Sequence, residues 1–591
     1  MIAADDPVAA AEVEVARRLE RGDALTAFDR AAAAHRDGLD SARLCYLMVR
    51  ALAASGDSMG AMALYERLGL ATSDDVDCVA LAGRIWKDAA FGHAGARRTE
   101  LLARAAAAYE RAFALSGAAF PAINAASLRA LLGDRARVAA LAEPIAMAGA
   151  GEDYWEQATL AEALLLTGRG AGARQAAEAA CAVAAQRIGD RAATCRQIAR
   201  LAAAGAIDGD DAAAVIEVLR PPPVGVYCGR MFRAGGAGEA SARAAIAAGL
   251  DAQPLSALIG PLACGADILF AEEAMARDID LSVVLPFAEE DFVAQSVVSG
   301  GADWLPRYEA CRAGAATVHL ASGARYVGDD GQFVLGAQTM MGLARLRARE
   351  LETEAIQFAV VDGDARSADA MAGTDADVAL WQGCGGRTVG LVAKGLDRAL
   401  DFPAAPSVPE GARRGLYAIL FADFAGFSRL GEAELPIFAR EVMGGVGRVL
   451  DGFGEAVLFR NTWGDAVYAV IDAPTTAARI ALAMQDALRV LPAGLGLEGT
   501  RAGMRIGVHF GPIYRGIDPI VGGELWYGTE VTRTARIEPV TLVGQVYCTQ
   551  PLAAMLALND VGDFACDYVG KVRLAKDYGE LALYRLSRRS D

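Results

Sequence analysis

The spacing of hydrophobic residues changes twice along the chain. Up to about residue 215, apolar residues recur every three or four positions, as at Leu47, Ala51 and Ala54. This spacing places them on one face of a helix, and the glycine–aspartate pairs between such runs are typical of turns. We therefore expect residues 1–215 to form an α-helical repeat domain of paired helices, with turns at 56–57, 133–134 and near 168.

A second pattern begins where three prolines, 221–223, end the helices. Short apolar runs now alternate with helical stretches. The predicted strands lie at 224–229, at the end of 260–287, and at 316–321, 356–363 and 378–383. Strands that alternate with helices predict a parallel sheet with helices on its faces. We expect an α/β Rossmann-like domain at 216–405, followed by a Pro- and Ala-rich linker that spans 401–415.

The third pattern covers residues 410–591 and predicts an α+β domain. In order, we expect a strand at 416–423, a helix at about 432–451, strands near 455–460 and 465–471 around the turn NTWG, a helix at 475–490 and a strand at 504–511. The order βαββαβ is that of a ferredoxin-like domain. The multidomain reading agrees with the length of 591 residues, which is too long for one core.

Charge and composition exclude several classes of protein. The net charge of −17 argues against nucleic-acid binding. The ten cysteines are scattered without a CxxC pair and there are only four histidines, so neither a zinc site nor a disulfide framework is favoured. No charge-free apolar stretch approaches the roughly 20 residues of a membrane span, and the N-terminus carries acids where a signal peptide has bases. We expect a cytoplasmic protein without membrane contact.

Two aspartates stand at the ends of otherwise apolar strands. Asp423 ends the first strand of the third pattern, and Asp465 lies at the bend of the following hairpin. If the hairpin pairs beside the first strand, the two carboxylates converge and repel each other unless a cation neutralises them. Mg²⁺ or Mn²⁺ suits such oxygen ligands, and a carboxylate pair beside a glycine turn at Gly426 is suited to two-metal phosphoryl chemistry. The alternative is that both aspartates only cap helices or form turns.

The segments around these aspartates resemble the catalytic domain of class III nucleotide cyclases. FADFAGFSRL (421–430) and NTWGDAVYAV (461–470) are similar to the two metal motifs of that family. GVHFGPIYRG (507–516), LWYGTEVTRTARIEP (525–539) and YVGKVRLAKDYGELALYRL (568–586) resemble its later strands and its arginine-bearing helix. The resemblance covers about 175 residues in the family's order.

This resemblance implies a role for each matching residue. Asp423 and Asp465 would hold two Mg²⁺ or Mn²⁺ ions with help from the carbonyl of Phe424. Arg536 would stabilise the transition state. The other implied nucleotide contacts are Gly426, Phe427, Ser428 and Lys576. Because this family builds its site from two catalytic domains, one domain per chain implies a homodimer.

Three positions depart from the family. Thr532 stands where the family has its transition-state asparagine, and its hydroxyl has a shorter reach. Asn461 and Leu525 stand at the two base-selecting positions and match neither the adenylate nor the guanylate pair. An amide both donates and accepts hydrogen bonds, so Asn461 suits adenine or another base edge. His509 alternates with apolar neighbours, which favours a structural role.

The other two regions carry weaker resemblances. Residues 1–215 resemble tetratricopeptide-type repeats, which bind a protein partner or pack against another domain of the same chain; a helical array without a ligand is the alternative. Residues 224–287 resemble Rossmann-like SLOG domains, which implies a nucleotide ligand. There the CGAD turn (264–267) either presents N–H groups to a phosphate or is simply structural.

The combined expectation is a cyclase for intracellular signal transduction. We expect conversion of ATP to 3′,5′-cyclic AMP and pyrophosphate, with the choice of ATP resting on its frequency in the family. GTP or a pyrimidine nucleoside triphosphate is the alternative substrate. A catalytically weak pseudo-cyclase that binds nucleotide or acts as a scaffold is the alternative of a different class. Retention of both aspartates and Arg536 argues against it.

Overall fold

The computed structural model describes residues 6–149, 151–362, 372–404, 412–490, 495, 502–559 and 562–589. Part of the expected linker, residues 405–411, lies outside the described residues. None of the described helices is both long and apolar enough to cross a lipid bilayer.

The N-terminal part is an array of helices in which consecutive members pack on one another. Its helices are α1 Pro7–Glu20, α2 Ala24–Arg36, α3 Ala42–Ala54, α4 Ser58–Arg67, α5 Val76–Phe91, α6 Gly95–Ser116, α7 Ala119–Leu131, α8 Arg135–Ala148, α9 Tyr154–Leu166, α10 Gly170–Val183, α11 Ile188–Ala203 and α12 Gly209–Leu219. Most begin directly after an aspartate or serine whose side chain accepts a hydrogen bond from the first turn. The predicted turn residues Asp57 and Asp134 are two of these caps.

The central part is a parallel sheet with strand order β4-β3-β2-β1-β5-β6. Its strands are β1 Val224–Gly229, β2 Ala257–Gly260, β3 Asp280–Leu285, β4 Thr317–Leu320, β5 Ala355–Asp362 and β6 Arg387–Ala393. Its helices are α13 Gly236–Ala252, α14 Ala266–Ala276, α15 Glu289–Phe292, α16 Trp304–Gly314, α17 Gly331–Glu350 and α18 Thr374–Gly383. The expected alternation of strands and helices is therefore present.

One local expectation for the central part is wrong, and for the CGAD turn the phosphate-binding alternative is weakened. Residues 378–383, predicted as a strand, are the second half of α18. Asp375 and Asp377 lie in the first turn of that helix, where carboxylates stabilise a helix N-terminus. In the CGAD turn, the N–H groups of Cys264 and Ala266 donate to the carbonyls of Ser296 (2.7 Å) and Arg230 (3.1 Å). Two of the amides expected to face a phosphate are thus engaged within the protein.

The C-terminal part is a mixed sheet of order β13-β14-β12-β10-β7-β9-β8, with β11 paired to β10. Its strands are β7 Arg413–Ala425, β8 Val457–Trp463, β9 Ala466–Ile471, β10 Gly503–Ile517, β11 Glu524–Tyr527, β12 Val546–Thr549, β13 Phe564–Arg573 and β14 Glu580–Arg588. Its helices are α19 Leu435–Ile437, α20 Gly444–Gly452, α21 Pro474–Ala487, α22 Thr529–Thr534 and α23 Gln550–Leu558. The expected order βαββαβ runs from β7 to β10.

Two boundaries in this part differ from expectation. The helix predicted at 432–451 begins at Leu435, because Pro436 fits only the first turn, and a π-helical turn at Phe438–Met443 joins α19 to α20. The turn predicted as NTWG is shorter. β8 continues through Trp463, and only Gly464 and Asp465 form the bend.

The three parts pack tightly against each other. Ala321 and Leu335 of the central part are fully buried in the core of the C-terminal sheet. α17 lies on α23, and Gly342 allows their close approach because a Cβ there would meet the Ala554 carbonyl oxygen at 2.1 Å. On the other side, Asp29 of α2 accepts a hydrogen bond from the hydroxyl of Tyr568 in β13, at 2.8–2.9 Å.

Candidate active site

The two aspartates singled out in the sequence lie at the same end of the C-terminal sheet. β7 and β9 are antiparallel, and their register pairs Ala422 with Val467. Asp423 directly follows Ala422 on β7, and Asp465 lies in the bend that enters β9. Neighbouring strands thus hold both carboxyl groups on the rim of a rigid sheet, which was the expectation from the sequence.

The two carboxyl groups are close enough to influence each other. Burial, and then the charge of Asp423, raise the pKa of Asp465, and a side-chain hydrogen bond with Asp423 acts in the same direction. The donor set consists of oxygens with an excess of negative charge, so it fits a hard divalent cation.

Two further charged residues complete this cluster, and sequence reasoning missed both. Arg505 faces Asp423 across the β7–β10 ladder, and its guanidinium forms ion pairs with Asp423 and with Glu538, the latter at 2.8 Å. Burial raises the pKa of Glu538 to about 7; Arg505 opposes this shift, and Asp423 and Asp465 add to it. The available signal was an arginine inside the apolar strand MRIGVHFG, although nothing in the sequence joins it to Glu538.

The turn after β7 is fixed by a glycine and by aromatic packing. Gly426 has φ 115°, a left-handed conformation that favours glycine. Phe424 is buried and packs edge-on against Phe438, with ring centroids 5.1 Å apart. Phe427 also packs on Phe438, while Ser428 next to it is exposed. This packing holds the 426–428 turn beside Asp423.

The two base-selecting candidates lie on different strands. Asn461 is exposed on β8, and its side-chain oxygen accepts a hydrogen bond from the Thr462 amide at 2.8 Å. Leu525 lies on β11 opposite Gly516 and is half-buried. Tyr468, the cross-strand partner of Asn461, donates to the carbonyl of Trp526 at 3.0 Å. One tyrosine therefore links the neighbourhoods of both positions.

Three further candidates, Thr532, Arg536 and Lys576, make no ion pair or hydrogen bond to the aspartates among the described residues. Thr532 is exposed on α22, and Lys576 is exposed in the β13–β14 turn, with β12 and β10 between β14 and β7. Among the described residues, neither Arg536 nor Lys576 forms an ion pair with Asp423 or Asp465, and Nε of Arg536 is buried without a hydrogen-bond partner. Arg536, the arginine that the resemblance assigns to the transition state, thus makes no ion pair with the two aspartates among the described residues of one chain, although it lies two residues before Glu538 of the acidic cluster.

A buried cluster connects α22 to the central part. Glu530 of α22 is fully buried, lies 3.1 Å from Nε2 of His509 and 3.0 Å from Arg533, and accepts a hydrogen bond from Ser322 of the central part. Although burial opposes the shift, these partners lower the pKa of Glu530 to about 2. His509 is itself fully buried, and its other ring nitrogen lies 2.8 Å from the Thr549 hydroxyl. The cluster anchors the helix that carries Thr532.

Comparisons with known proteins agree with this arrangement in two regions. Residues 412–588 match the adenylate and guanylate cyclase catalytic domain family, and residues 21–129 match the Tetratricopeptide Repeats-Sensor family. Neither match reaches the central parallel sheet, so its likeness to SLOG domains stays a prediction. No curated protein is found to match the chain.

Solved structures similar to this chain include two cyclases. The adenylyl cyclase CyaB from P. aeruginosa is 16% identical, with coverage of 30% of this chain and 95% of that one and a TM-score of 0.27. The guanylate cyclase domain of RhGC from Catenaria anguillulae, solved in complex with GTP, is 18% identical, with coverage of 30% and 100% and a TM-score of 0.26. From the family match, residues 412–588 belong to the adenylate and guanylate cyclase catalytic domain family, and residues 21–129 to the Tetratricopeptide Repeats-Sensor family.

Proposed function

We propose that this chain cyclises a nucleoside triphosphate, preferentially ATP, to the 3′,5′-cyclic monophosphate and pyrophosphate. The observation that carries the proposal is the cluster of Asp423, Asp465 and Glu538 around Arg505 at one end of the sheet, within the residues that match a cyclase family. The amide of Asn461 suits more than one base edge, which makes GTP or a pyrimidine nucleotide a second candidate.

Asp423 and Asp465, with the carbonyl of Phe424, are the residues that would hold Mg²⁺ or Mn²⁺. When bound, two such ions supply Lewis-acid chemistry that favours ionisation of the ribose 3′-hydroxyl and offsets charge on the triphosphate. The proposed reaction joins the 3′-oxygen to the α-phosphorus and breaks the bond from that phosphorus to the bridging oxygen. Pyrophosphate leaves, and the hydroxyl proton passes to solvent.

The remaining site residues are proposed to position the nucleotide and to stabilise the transition state. The turn at Gly426, Phe427 and Ser428 is proposed to contact the phosphates, and Lys576 to bind the terminal ones. Arg536 is proposed to stabilise the charge that develops on the α-phosphate, with Thr532 donating a hydrogen bond beside it. Such groups act most strongly in the transition state, so their removal is expected to reduce kcat more than binding.

A homodimer is proposed to complete the site. Among the described residues of one chain, Arg536 forms no ion pair with Asp423 or Asp465, so a second copy is proposed to supply this arginine to the site. The hairpin formed by β10 and β11 also carries exposed apolar residues at its tip: Ile517, Ile520 and Val521 are 77%, 91% and 78% exposed. Exposed apolar groups of this kind are typical of protein interfaces.

The cellular setting is also a proposal. The ten free cysteines support a reducing, cytoplasmic environment, in which the cyclic nucleotide serves signal transduction. The hydrogen bond between Asp29 and Tyr568 supports a role for the repeats in packing against the C-terminal part of the same chain. Binding of a protein partner by the repeats is proposed as a second role.

Incubation of the full chain with ATP, GTP, CTP and UTP in turn, each with Mn²⁺, followed by mass identification of the product, tests the function. We expect cyclic AMP as the main product, loss of nearly all turnover in Asp423→Asn, and unchanged turnover in Asp451→Asn, which alters an exposed aspartate paired with Arg460. Absence of any cyclic product would favour the pseudo-cyclase. Full activity of Asp423→Asn would refute the assigned site.

A further inference from the structure

A cavity of about 390 Å³ opens in the central part, at the carboxyl ends of its strands. Residues that follow β1, β2 and β3 line it, together with α17 and the first turn of α18. In the strand order, β2, β3 and β4 lie on one side of β1 and β5 and β6 on the other. Ligands of open parallel sheets bind at such a point, outside the carboxyl ends of the strands.

One wall of the cavity is apolar. It is lined by Met231, Val284, Phe292, Phe333, Met340 and Phe402. Gly336 lies on the same wall and lets α17 approach the sheet, because a Cβ there would meet Pro286 at 2.7 Å. This wall suits the hydrocarbon or aromatic body of a small molecule.

Another part of the cavity's lining is charged and incompletely paired. Asp267, at the start of α14, is 4% exposed, and its Oδ1 has no hydrogen-bond partner among the described residues. Arg230 is 8% exposed; it forms an ion pair with Asp375 at 2.7 Å, and its Nε has no partner either. A buried acceptor without a partner is unfavourable, so Oδ1 of Asp267 favours a ligand that donates a hydrogen bond to it.

The negative charge of the residues that line the cavity selects the class of ligand. Asp267 and Asp377 both line the cavity, whereas Arg230 is already paired and Arg398 is exposed. Burial, and then the charge of Asp377, raise the pKa of Asp267 well above its usual range, and burial raises the pKa of Asp377 to about 7. Among the described residues, neither carboxyl group is paired with a cation.

A phosphate does not fit this wall. The N–H groups of Cys264 and Ala266 donate to protein carbonyls, and Asp267 lies in the first turn of α14, where an anion would otherwise bind. A polyphosphate at this position would lie against a buried carboxyl group.

We propose that this cavity binds a small molecule with a cationic, hydrogen-bond-donating head, such as an amine, amidine or guanidine. The head would pair with Asp267 and Asp377. The apolar body would lie against Phe333 and Met340. This ligand class differs from the nucleotide that the sequence suggested for the central part.

Two probes of equal size and opposite charge test the proposal on the full chain. Benzamidine carries an amidinium on a phenyl ring, and benzoate carries a carboxylate on the same ring. Titration followed by ligand-observed saturation-transfer NMR is expected to show binding of benzamidine and none of benzoate. Because the head forms a charge-assisted hydrogen bond, Asp267→Asn and Asp377→Asn are each expected to weaken benzamidine binding about tenfold or more.

The test must exclude binding of benzamidine at the acidic cluster around Asp423 in the C-terminal part. Asp423→Asn removes the cyclase carboxylate and is expected to leave benzamidine binding unchanged. Thermal unfolding checks that each variant is folded. If either Asp267→Asn or Asp377→Asn is unfolded, the conclusion rests on benzamidine binding by the other variant. Absence of benzamidine binding, stronger binding of benzoate, or equal affinity in wild type and the folded cavity variants would each overturn the proposal.

Discussion

At the scale of single residues, the carboxyl groups described at the rim of the C-terminal sheet outnumber the described cations that pair with them. Arg505 is the guanidinium that pairs with Asp423 and Glu538, and Asp465 adds a further carboxyl group beside Asp423. Like charges on neighbouring strand ends repel each other and oppose folding. A divalent cation at this rim is therefore expected to stabilise the fold, quite apart from any catalysis.

Metal binding is predicted to be visible without substrate. A ligand that binds only the folded state at a hundredfold excess over its Kd adds about 2.7 kcal/mol to the free energy of unfolding. We expect Mn²⁺ to raise the unfolding temperature of the wild type and of Asp451→Asn. It should have little effect on Asp423→Asn or Asp465→Asn. Differential scanning calorimetry with Mn²⁺ and with EDTA measures this. An equal rise in all four proteins would place the metal elsewhere.

Base choice is predicted to be modest. Asn461 offers one hydrogen-bonding side chain, and Leu525 offers apolar contact only. A missing hydrogen bond to a base is worth about 1–3 kcal/mol, or roughly ten- to a hundredfold in selectivity. We expect a preference for ATP with measurable turnover of a second nucleotide. Asn461→Lys with Leu525→Asp should sharpen the ratio of kcat/KM for ATP over GTP. An unchanged ratio would mean that neither side chain reads the base.

At the scale of elements, α17 joins the cavity of the central part to the C-terminal sheet. Its first half lines the cavity with Phe333 and Met340. Further along, Gly342 lies against the backbone of α23, and Arg345 donates to the carbonyl of Leu558 at 2.8 Å. A rigid helix that touches both places is a direct mechanical link between them.

The close approach at Gly342 gives a prediction about stability. Gly342→Ala places a methyl group 2.1 Å from the Ala554 carbonyl oxygen, which forces α17 and α23 apart. We expect a loss of about 1–3 kcal/mol, seen as a lower unfolding temperature. Gly447→Ala in α20 is the matched control, because its Cβ meets nothing within 4 Å and alanine favours the helix. Equal unfolding temperatures for the two variants would contradict the packing described for α17 and α23.

Sequence patterns predicted the long, regular elements. Periodicity indicated the helical pairs, and short apolar runs indicated β1, β4 and β5, because burial of one face or of a whole strand leaves a direct mark on composition. The failure at 378–383 shows the limit of this reasoning. Four apolar residues in six look like a buried strand, whereas Asp375 and Asp377 just before them favour the first turn of a helix.

The candidate site was predicted only in part. Its aspartates and the 426–428 turn are local to strand ends, so the motif and the strand order suffice to bring them together. Arg505 and Glu538 join them only through pairing of β10 with β7 and through the chain that follows α22. The hydrogen bond from Ser322 to Glu530 spans two parts of the molecule. Neither the ion pairs of Arg505 nor the hydrogen bond from Ser322 to Glu530 leaves a periodic signal in the sequence.

At the scale of the whole molecule, the helical array holds both of the other parts. Arg21 pairs with Asp280 of the central sheet at 3.0 Å, and Arg585 of β14 pairs with Asp57 at 3.0 Å. Because the array contacts the sheet that carries Asp423 and Asp465, we expect a change in the shape of the array to reach that sheet through these contacts. The proposed dimer then adds a second chain to the same assembly.

Sharing of the site between chains is predicted to allow complementation. Asp423→Ala and Arg536→Ala are each expected to be inactive. A heterodimer of the two, purified through two different tags, retains one complete site and should show about half the wild-type turnover. The heterodimer of Asp423→Ala with Asp465→Ala is the control and should stay inactive, because both aspartates must come from the same chain. Activity in the control, or none in the first heterodimer, would refute a site built across the dimer.

The burial of Ala321 and Leu335 in the core of the C-terminal sheet limits how the protein can be divided. A recombinant fragment cut at the start of β7 would lose both residues, so the apolar core surface that they cover would be exposed to water. Glu530 would also lose the hydrogen bond from Ser322. Such a fragment is expected to be poorly soluble, and turnover measured on it describes a damaged protein. Trimming from the N-terminal end should therefore spare the whole of the central sheet.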